Sequence, residues 1–254
     1  MYYIELLRLR RSFIIYGGIL GSLFLLSMIT THWPGAIVNK GDSGTIPLSV
    51  LLSIVGFCAI IFATAIGTSL NRENDGVEMV WTKPIARERL AVMYIALDLA
   101  AIIVAFLVPL ALAVLIFASF GLTKVIQPDD KWISVLILTF GIAFMWYGLL
   151  QGLTSWQSGR GGIVVAVSWA AAAVVLPLLM AATARSPGLH EVVMVLNLLN
   201  PLAYLSSSAH VQIGVATGAP TLIPHDVWAR AAMTWGFGIL GSLAAIVGWK
   251  RLEV

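Results

Sequence analysis

Few residues in this chain have the types and spacings that carry catalysis. The sequence contains no G-x-x-x-x-G-K-[ST] phosphate-binding loop, no H-E-x-x-H metal motif and no G-x-S-x-G nucleophile motif, and Cys58 is its one cysteine. The four histidines are far apart along the chain, so we expect no metal site: His32, His190, His210 and His225. The sequence therefore predicts a protein that is not an enzyme by itself and that binds no cofactor of its own.

Asp98 is the one ionisable residue well inside an apolar stretch of the sequence. A carboxyl group inside a membrane is costly, and such groups commonly mark ion or substrate paths. Asp98 lies about two turns from the polar end of its stretch, so the alternative is a structural role, in which it reaches water or bonds a neighbouring helix. A single buried carboxyl group gives weak support for an ion-coupled secondary transporter, which usually needs several ligands near the midplane.

Charged residues are concentrated in one segment, Asn71–Leu90, where eight of twenty residues are charged against 11% in the whole chain. Residues Glu73–Val80 are long enough for about two helical turns, and Asp75 and Glu78 near the start favour the helix dipole. Neighbouring apolar residues, Trp81 among them, provide one apolar face. We expect a short amphipathic helix that receives force from a cytoplasmic partner; a solvated loop is the alternative.

The composition requires these residues to be positioned by membrane helices. The chain has 254 residues, of which 59% are hydrophobic, and its net charge is +3. So few charges cannot cover the surface of a soluble domain of this length, and so small a net charge argues against a nucleic-acid partner. About 20 apolar residues cross the hydrocarbon layer, and we predict a single all-α polytopic domain, residues 1–254, with six transmembrane helices. Their approximate ranges are 12–31, 48–70, 90–120, 132–152, 162–184 and 228–249.

The basic residues predict how the chain is oriented in the membrane. With the N-terminus inside, ten of the 15 lysines and arginines fall on the cytoplasmic side, as the positive-inside rule requires. Both termini are therefore expected in the cytoplasm, and residues 1–11 are expected to form an amphipathic helix along the inner surface. The segment His190–Ser206 contains the apolar run Val192–Leu199, which is too short to cross, so we predict an external re-entrant or interfacial helix that ends at Asn200 and Pro201.

The charged loop also carries a pattern of acidic residues, a glycine, a proline and an arginine: Glu73-x-x-Gly76-x-Glu78, then Pro84-x-x-Arg87. This pattern resembles the first cytoplasmic loop of type-2 ATP-binding-cassette (ABC) exporter permeases, although Val77 stands where that family has threonine. The layout is similar to that family over most of the chain: six spans, both termini inside, a basic N-terminal helix and an external segment between spans five and six.

The resemblance implies a fold, partners and site residues. It implies the type V ABC exporter fold, a second permease copy (identical or paralogous), and a separate ATP-binding subunit that supplies ATP and Mg. The residues implied to couple this chain to the ATPase are Glu73, Gly76, Glu78, Met79, Trp81, Pro84 and Arg87. Trp156 and Arg160 are implied to form a second inner-loop contact. The candidates for the cargo path or gate are Asp98, Trp169, Asn200 and Pro201.

Small residues suggest where helices approach closely, either within one chain or between two copies. Gly17 and Gly21 form a G-x-x-x-G pair in span one, and Ala170–Ala173 is a run of small residues in span five. The scarcity of charge in spans one, two and five favours a lipid, a hydrophobic drug or a peptide as cargo. We therefore expect a permease of the bacterial plasma (inner) membrane in contact with membrane lipid. The alternatives are an ion-coupled transporter and a non-transporting immunity or assembly protein.

Overall fold

The computed structural model describes residues 9–10, 12–22, 46–68, 87–119, 126–156, 160–183, 186–205 and 222–251, which are almost entirely helical. The helices are α1 (Ser12–Ser22), α2 (Leu48–Ile66), α3 (Arg87–Ser119), α4 (Trp132–Ser155), α5 (Gly161–Ala170), α6 (Leu176–Thr183), α7 (Pro187–Asn197), α8 (Pro201–Leu205) and α9 (Val227–Arg251). A π-helical segment, Ala171–Val175, joins α5 to α6. Two-residue strands, β1 (Ile46–Pro47) and β2 (Ile126–Gln127), pair in parallel.

Five helices of the described residues are long and apolar enough to cross a membrane. They are Leu48–Ile66, Arg89–Ala118, Trp132–Ser155, Gly161–Thr183 and Val227–Trp249. Each coincides with one of the predicted spans to within a few residues, as expected of an all-α multi-pass membrane protein. The first predicted span is represented by α1, and its continuation lies outside the described residues, as do residues 1–8 of the predicted N-terminal helix.

The helix predicted within His190–Ser206 begins earlier, at Pro187, and ends at Asn197, close to the predicted stop at Asn200 and Pro201; a second, short helix follows from Pro201. Ser186 has extended backbone angles, and Pro187 occupies the first turn of α7, where a missing N–H costs nothing. A turn at residues 198–200 separates α7 from α8. The sequence did not indicate the additional residues 187–189 because Pro187 and Gly188 precede the apolar run.

Helices α2, α4 and α9 run in the same direction. Along α4, Thr139 lies beside Gly56 of α2 and Leu150 lies beside Gly67, so the two sequences advance together. Gly141 and Gly152 of α4 lie beside residues 234–235 and 241–244 of α9 in the same order. We call the end where these three helices begin, near Pro47, Trp132 and Val227, the top of the bundle, and the end where they finish, near Gly67, Trp156 and Trp249, its base.

Helix α4 is the centre of the bundle and is in direct backbone contact with α9. Of its most apolar 18-residue window, 72% is buried, the largest share among the five candidate spans. A Cβ atom built on Gly148 would lie 2.4 Å from the carbonyl oxygen of Gly238, and one on Gly241 would lie 2.4 Å from the carbonyl carbon of Gly148. Lipid offers no hydrophobic driving force for helix association, so close packing of this kind must hold helices together.

The glycines of α1 occupy a different environment from those of α4. No described atom lies within 4 Å of a Cβ atom built on Gly17 or Gly21, and both residues are exposed. This G-x-x-x-G pair therefore makes no close helix contact with the described part of the chain. Of the alanine run, Ala172 is buried.

Substituting Gly148 with alanine should force α4 and α9 apart. Overpacking of a tight contact costs about 1–3 kcal/mol, so we expect Gly148→Ala to lower the thermal unfolding temperature of the detergent-purified protein by several degrees. Gly236→Ala is the matched control, since Gly236 lies in the partner helix α9 and nothing described lies within 4 Å of its Cβ position. Equal unfolding temperatures for the two variants would contradict the backbone contact.

A carboxylate at the top joins two segments that are 80 residues apart in sequence. The Oδ1 atom of Asp129 accepts the backbone N–H of Ser49 at 3.0 Å, in the first turn of α2, next to the paired strands β1 and β2. Burial works to raise the pKa of Asp129, but hydrogen bonds from Ser49 and from nearby backbone N–H groups outweigh it and hold that pKa below its usual value. Asp129 thus supplies α2 with the N-terminal cap that Pro47 cannot provide.

Because the folded-state pKa of Asp129 is lowered, its contribution to stability is fully present above the unfolded-state value of about 4 and is lost as the pH falls through the folded-state value. We expect Asp129→Asn to lower stability at neutral pH by about 0.3–1 kcal/mol, the usual effect of an anion at a helix N-terminus. The Asp129→Asn variant should also lose less stability than the parent protein when the pH falls below ~4, because it has no carboxyl group to protonate at this position. Thermal unfolding across pH, with Asp130→Asn as the control at the exposed neighbouring residue, tests both effects.

Candidate functional site

Most residues predicted to couple the chain to an ATPase lie outside the described residues. These are Glu73, Gly76, Glu78, Met79, Trp81 and Pro84. Arg87 begins α3, at the base of the bundle. The structure therefore describes the points from which the predicted coupling loop departs and to which it returns.

The departure point of this loop is fixed by side chains of α4. The last carbonyl groups of a helix have no partner within that helix. Gln151 donates its Nε2 hydrogen to the carbonyl oxygen of Ile66 at 3.1 Å. The Thr154 hydroxyl has its nearest acceptor in its own helix, the Leu150 carbonyl at 2.7 Å, and its oxygen also lies 3.3 Å from the carbonyl oxygen of Gly67. Both side chains are fully buried, so the end of α2 is held against the end of α4.

The second predicted inner-loop contact leaves the base beside the first. Trp156 follows α4 directly, and its Nε1 atom donates to the carbonyl oxygen of Ala244 in α9 at 3.2 Å. Trp156 is 51% exposed. Arg160 is exposed at the start of α5. Trp156 and Arg160 therefore lie at the same end of the molecule as Gly67 and Arg87.

Asp98 is fully buried and accepts a hydrogen bond from a neighbouring helix. A bond of this kind is the structural alternative that the sequence analysis gave for this residue. Tyr147 of α4 donates its hydroxyl hydrogen to Oδ2 of Asp98 at 2.8 Å, and both side chains have no exposed area. Near the same end, the ring of Tyr94, one turn earlier in α3, packs against Trp249 of α9 with centroids 6.1 Å apart. Asp98 thus joins α3 to the central helix.

Trp169, predicted to lie in the cargo path, connects three helices. Its Nε1 atom donates to the hydroxyl oxygen of Thr64 in α2 at 3.1 Å, and Trp146 of α4 donates to the same oxygen at 2.8 Å. The Thr64 hydroxyl donates in turn to the carbonyl of Ile60, and the two indole rings meet edge to face at 5.1 Å. Trp169 is half-buried, so part of its ring remains accessible.

Asn200 and Pro201 lie between α7 and α8, beside the middle of the fifth span. Asn200 is 3% exposed, and its Oδ1 atom accepts the N–H of Leu202 and so caps α8, which Pro201 begins. Its Nδ2 atom donates to the carbonyl oxygen of Ala172 in the π-helical segment at 3.1 Å. Tyr204 closes the turn with a hydrogen bond to the carbonyl of Leu198, and burial raises the pKa of Tyr204 to about 12 against the opposing effect of Arg230.

Sequence reasoning missed the residues that connect the helices: Thr64, Tyr147, Gln151 and Thr154. Their signal was present, because a hydroxyl or amide group inside an apolar span must find a partner there and often bonds a neighbouring helix. Within the described ranges, no three His, Cys, Asp or Glu side chains are grouped so that they could hold a metal ion.

A double-mutant cycle on Tyr147→Phe and Asp98→Asn should show coupling between the two residues. Because a buried hydrogen bond joins them, we expect an interaction energy of about 1–3 kcal/mol in unfolding titrations in mixed micelles. The control cycle pairs Asp98→Asn with Tyr16→Phe, whose hydroxyl bonds the carbonyl of Ala105, about 10 Å farther along α3. Additive effects in both cycles would show that the bond contributes nothing to stability.

In comparisons with protein-family models, with curated proteins and with solved structures, this chain matches none of them. The resemblance to type-2 ABC permeases accordingly rests on the Glu73–Arg87 pattern and on the layout of the spans.

Proposed function

We propose that this chain is the membrane-spanning permease subunit of an ABC exporter. A separate subunit binds and hydrolyses ATP with Mg, and this chain converts the movement of that subunit into rearrangement of its membrane helices. The permease acts as a pair, with an identical or paralogous second copy. It resides in the bacterial plasma membrane with both termini in the cytoplasm.

The observation that carries this proposal is the joining of two predicted ATPase contacts at the base. The described ends that adjoin the two predicted loops, Gly67 and Trp156, lie at the same end of the bundle, because Gln151 of α4 donates to the carbonyl of Ile66 at the end of α2 and Thr154 lies beside Gly67. A partner that docks near one of these ends is therefore positioned to touch the other. Both ends adjoin α4, the candidate span with the largest buried share.

Helix α3 provides the return path for force from that partner. Its 33 residues extend about 50 Å, well beyond the hydrocarbon thickness of about 30 Å, so its first turns after Arg87 can project from the membrane. The bond between Asp98 and Tyr147 ties this helix to α4 about 16 Å from its start. A tilt of the projecting end would thus act on the centre of the bundle.

The exposed surfaces favour an apolar or amphipathic cargo, such as a lipid, a hydrophobic drug or a peptide. The outward faces of α1 and of the fifth span consist of large apolar side chains, including Ile14, Ile15, Ile163, Val167 and Leu178. A densely charged cargo would need charged groups along its path.

The proposal is tested by reversing two charges of the predicted coupling loop. The chain is co-expressed with its ATP-binding subunit, and the variant carries Glu78→Arg together with Arg87→Glu. Losing matched charges at an interface typically costs at least 2 kcal/mol, so we expect recovery of the ATPase with the permease to fall about tenfold or more, and ATP-driven export with it.

The control reverses charges at the opposite end of the molecule, with Asp130→Arg and Lys131→Glu at the top. This variant should retain the ATPase and export. If the Glu78/Arg87 variant eluted normally from size exclusion and kept both activities, the coupling assignment would be wrong.

A further inference from the structure

The fifth span contains a carbonyl group that its own helix cannot satisfy. Pro177 has no N–H, and just before it the chain forms the π-helical segment, in which the N–H of Leu176 reaches back five residues to the carbonyl of Ala171. The carbonyl of Ala172 would pair with Leu176 in an α-helix, or with residue 177 in a π-helix. The first donor is engaged elsewhere, and the second does not exist.

Asn200 supplies the missing donor from another part of the chain. Its Nδ2 group donates to Ala172 at 3.1 Å and to Oδ1 of Asn197 at 3.1 Å, while its Oδ1 atom accepts from Leu202. The orientation of this amide is fixed by chemistry, since a carbonyl accepts only from the nitrogen and an N–H donates only to the oxygen. One side chain thus holds α7, α8 and the fifth span together.

This bond lies at the middle of the fifth span, in a stretch with few other buried contacts. Ala172 is the one buried residue of the π-helical segment, and α6 has none among the described residues. Thr183 and His190 make a second link, at 3.3 Å, near the end of α6. The α7–α8 pair is internally braced by the bond from Tyr204 to Leu198, so it can move as a unit.

We propose that the bond between Asn200 and Ala172, here called the Asn200 latch, holds the α7–α8 pair against the middle of the fifth span, and that separation of the two replaces Asn200 with water at the Ala172 carbonyl. A buried carbonyl must keep a donor, and water is the donor that becomes available once the two have separated. The joined and separated arrangements therefore both satisfy this carbonyl, whereas an intermediate arrangement does not. The inference rests on the proposed function for the reason that the two separate at all.

The latch is tested by the rate at which a small water-soluble thiol reagent labels a cysteine placed at Ala172, in a Cys58→Ala background of the purified full chain. Asn200→Asp removes both donors but keeps the oxygen that caps α8. Because it removes the hydrogen bond to the buried carbonyl, we expect labelling to become about tenfold faster or more. Hydrogen exchange over residues 198–205 should stay at the parent rate, showing that α8 remains formed.

Asn197→Asp is the matched control, since it adds the same charge three residues away and keeps the oxygen that accepts from Asn200. Its labelling rate should stay within about twofold of the parent. The latch is refuted if Asn200→Asp labels as slowly as the parent, or if both aspartate variants accelerate labelling equally.

A second variant approaches the latch from the fifth span. Pro177→Ala restores an N–H, so the Ala172 carbonyl gains a donor in its own helix and no longer needs Asn200. We expect faster labelling in this variant and little further change when Asn200→Asp is added. If the two substitutions accelerated labelling independently, so that their effects multiplied in the double variant, the proposal would be overturned. No ATPase takes part in these measurements, so failure of the permease assignment would leave them unaffected.

Discussion

The arrangement of this protein depends on the contact between the backbones of α4 and α9. Gly148 and Gly241 bring the two helices so close that a methyl group on either would meet the opposing main chain. In lipid, such close packing substitutes for the hydrophobic effect that assembles soluble bundles. With α9 on one side and α2 on another, α4 becomes the central helix, and every other span is positioned by how it attaches to these three.

The attachments at the base are hydrogen bonds from side chains of α4. Tyr147 reaches the carboxylate of Asp98, and Gln151 and Thr154 reach carbonyls at the end of α2. Tyr147, Gln151 and Thr154 lie three or four residues apart, so they follow one side of the helix. Among the described residues, these buried polar bonds between helices lie at the end from which the predicted partner-binding loops depart, which suits a region proposed to transmit force rather than absorb it.

The sequence predicts the spans well because their ends are chemically marked. Runs of about 20 apolar residues are hard to mistake, and Gly67, Pro187 and the charges near Arg87 stand close to the observed boundaries. It does not predict which helix is central, because all five runs are similarly apolar. The sequence also does not distinguish Gly17 and Gly21, whose Cβ positions have no described atom within 4 Å, from Gly148 and Gly241, whose Cβ positions meet an opposing backbone. The neighbour of a glycine is decided by the tertiary arrangement.

The fifth span differs from α4 in a way that bears on motion. Only 6% of its most apolar window is buried within the described chain, against 72% for α4. It is attached through a few polar groups near its middle, chiefly Trp169 and, three residues farther along, the Ala172 carbonyl that accepts from Asn200, rather than through continuous packing. Displacing it costs those few bonds and leaves the glycine contact of α4 intact. Motion in this molecule is therefore least costly at the fifth span and most costly at α4 and α9, so a transport cycle that uses this fold would keep the latter pair fixed.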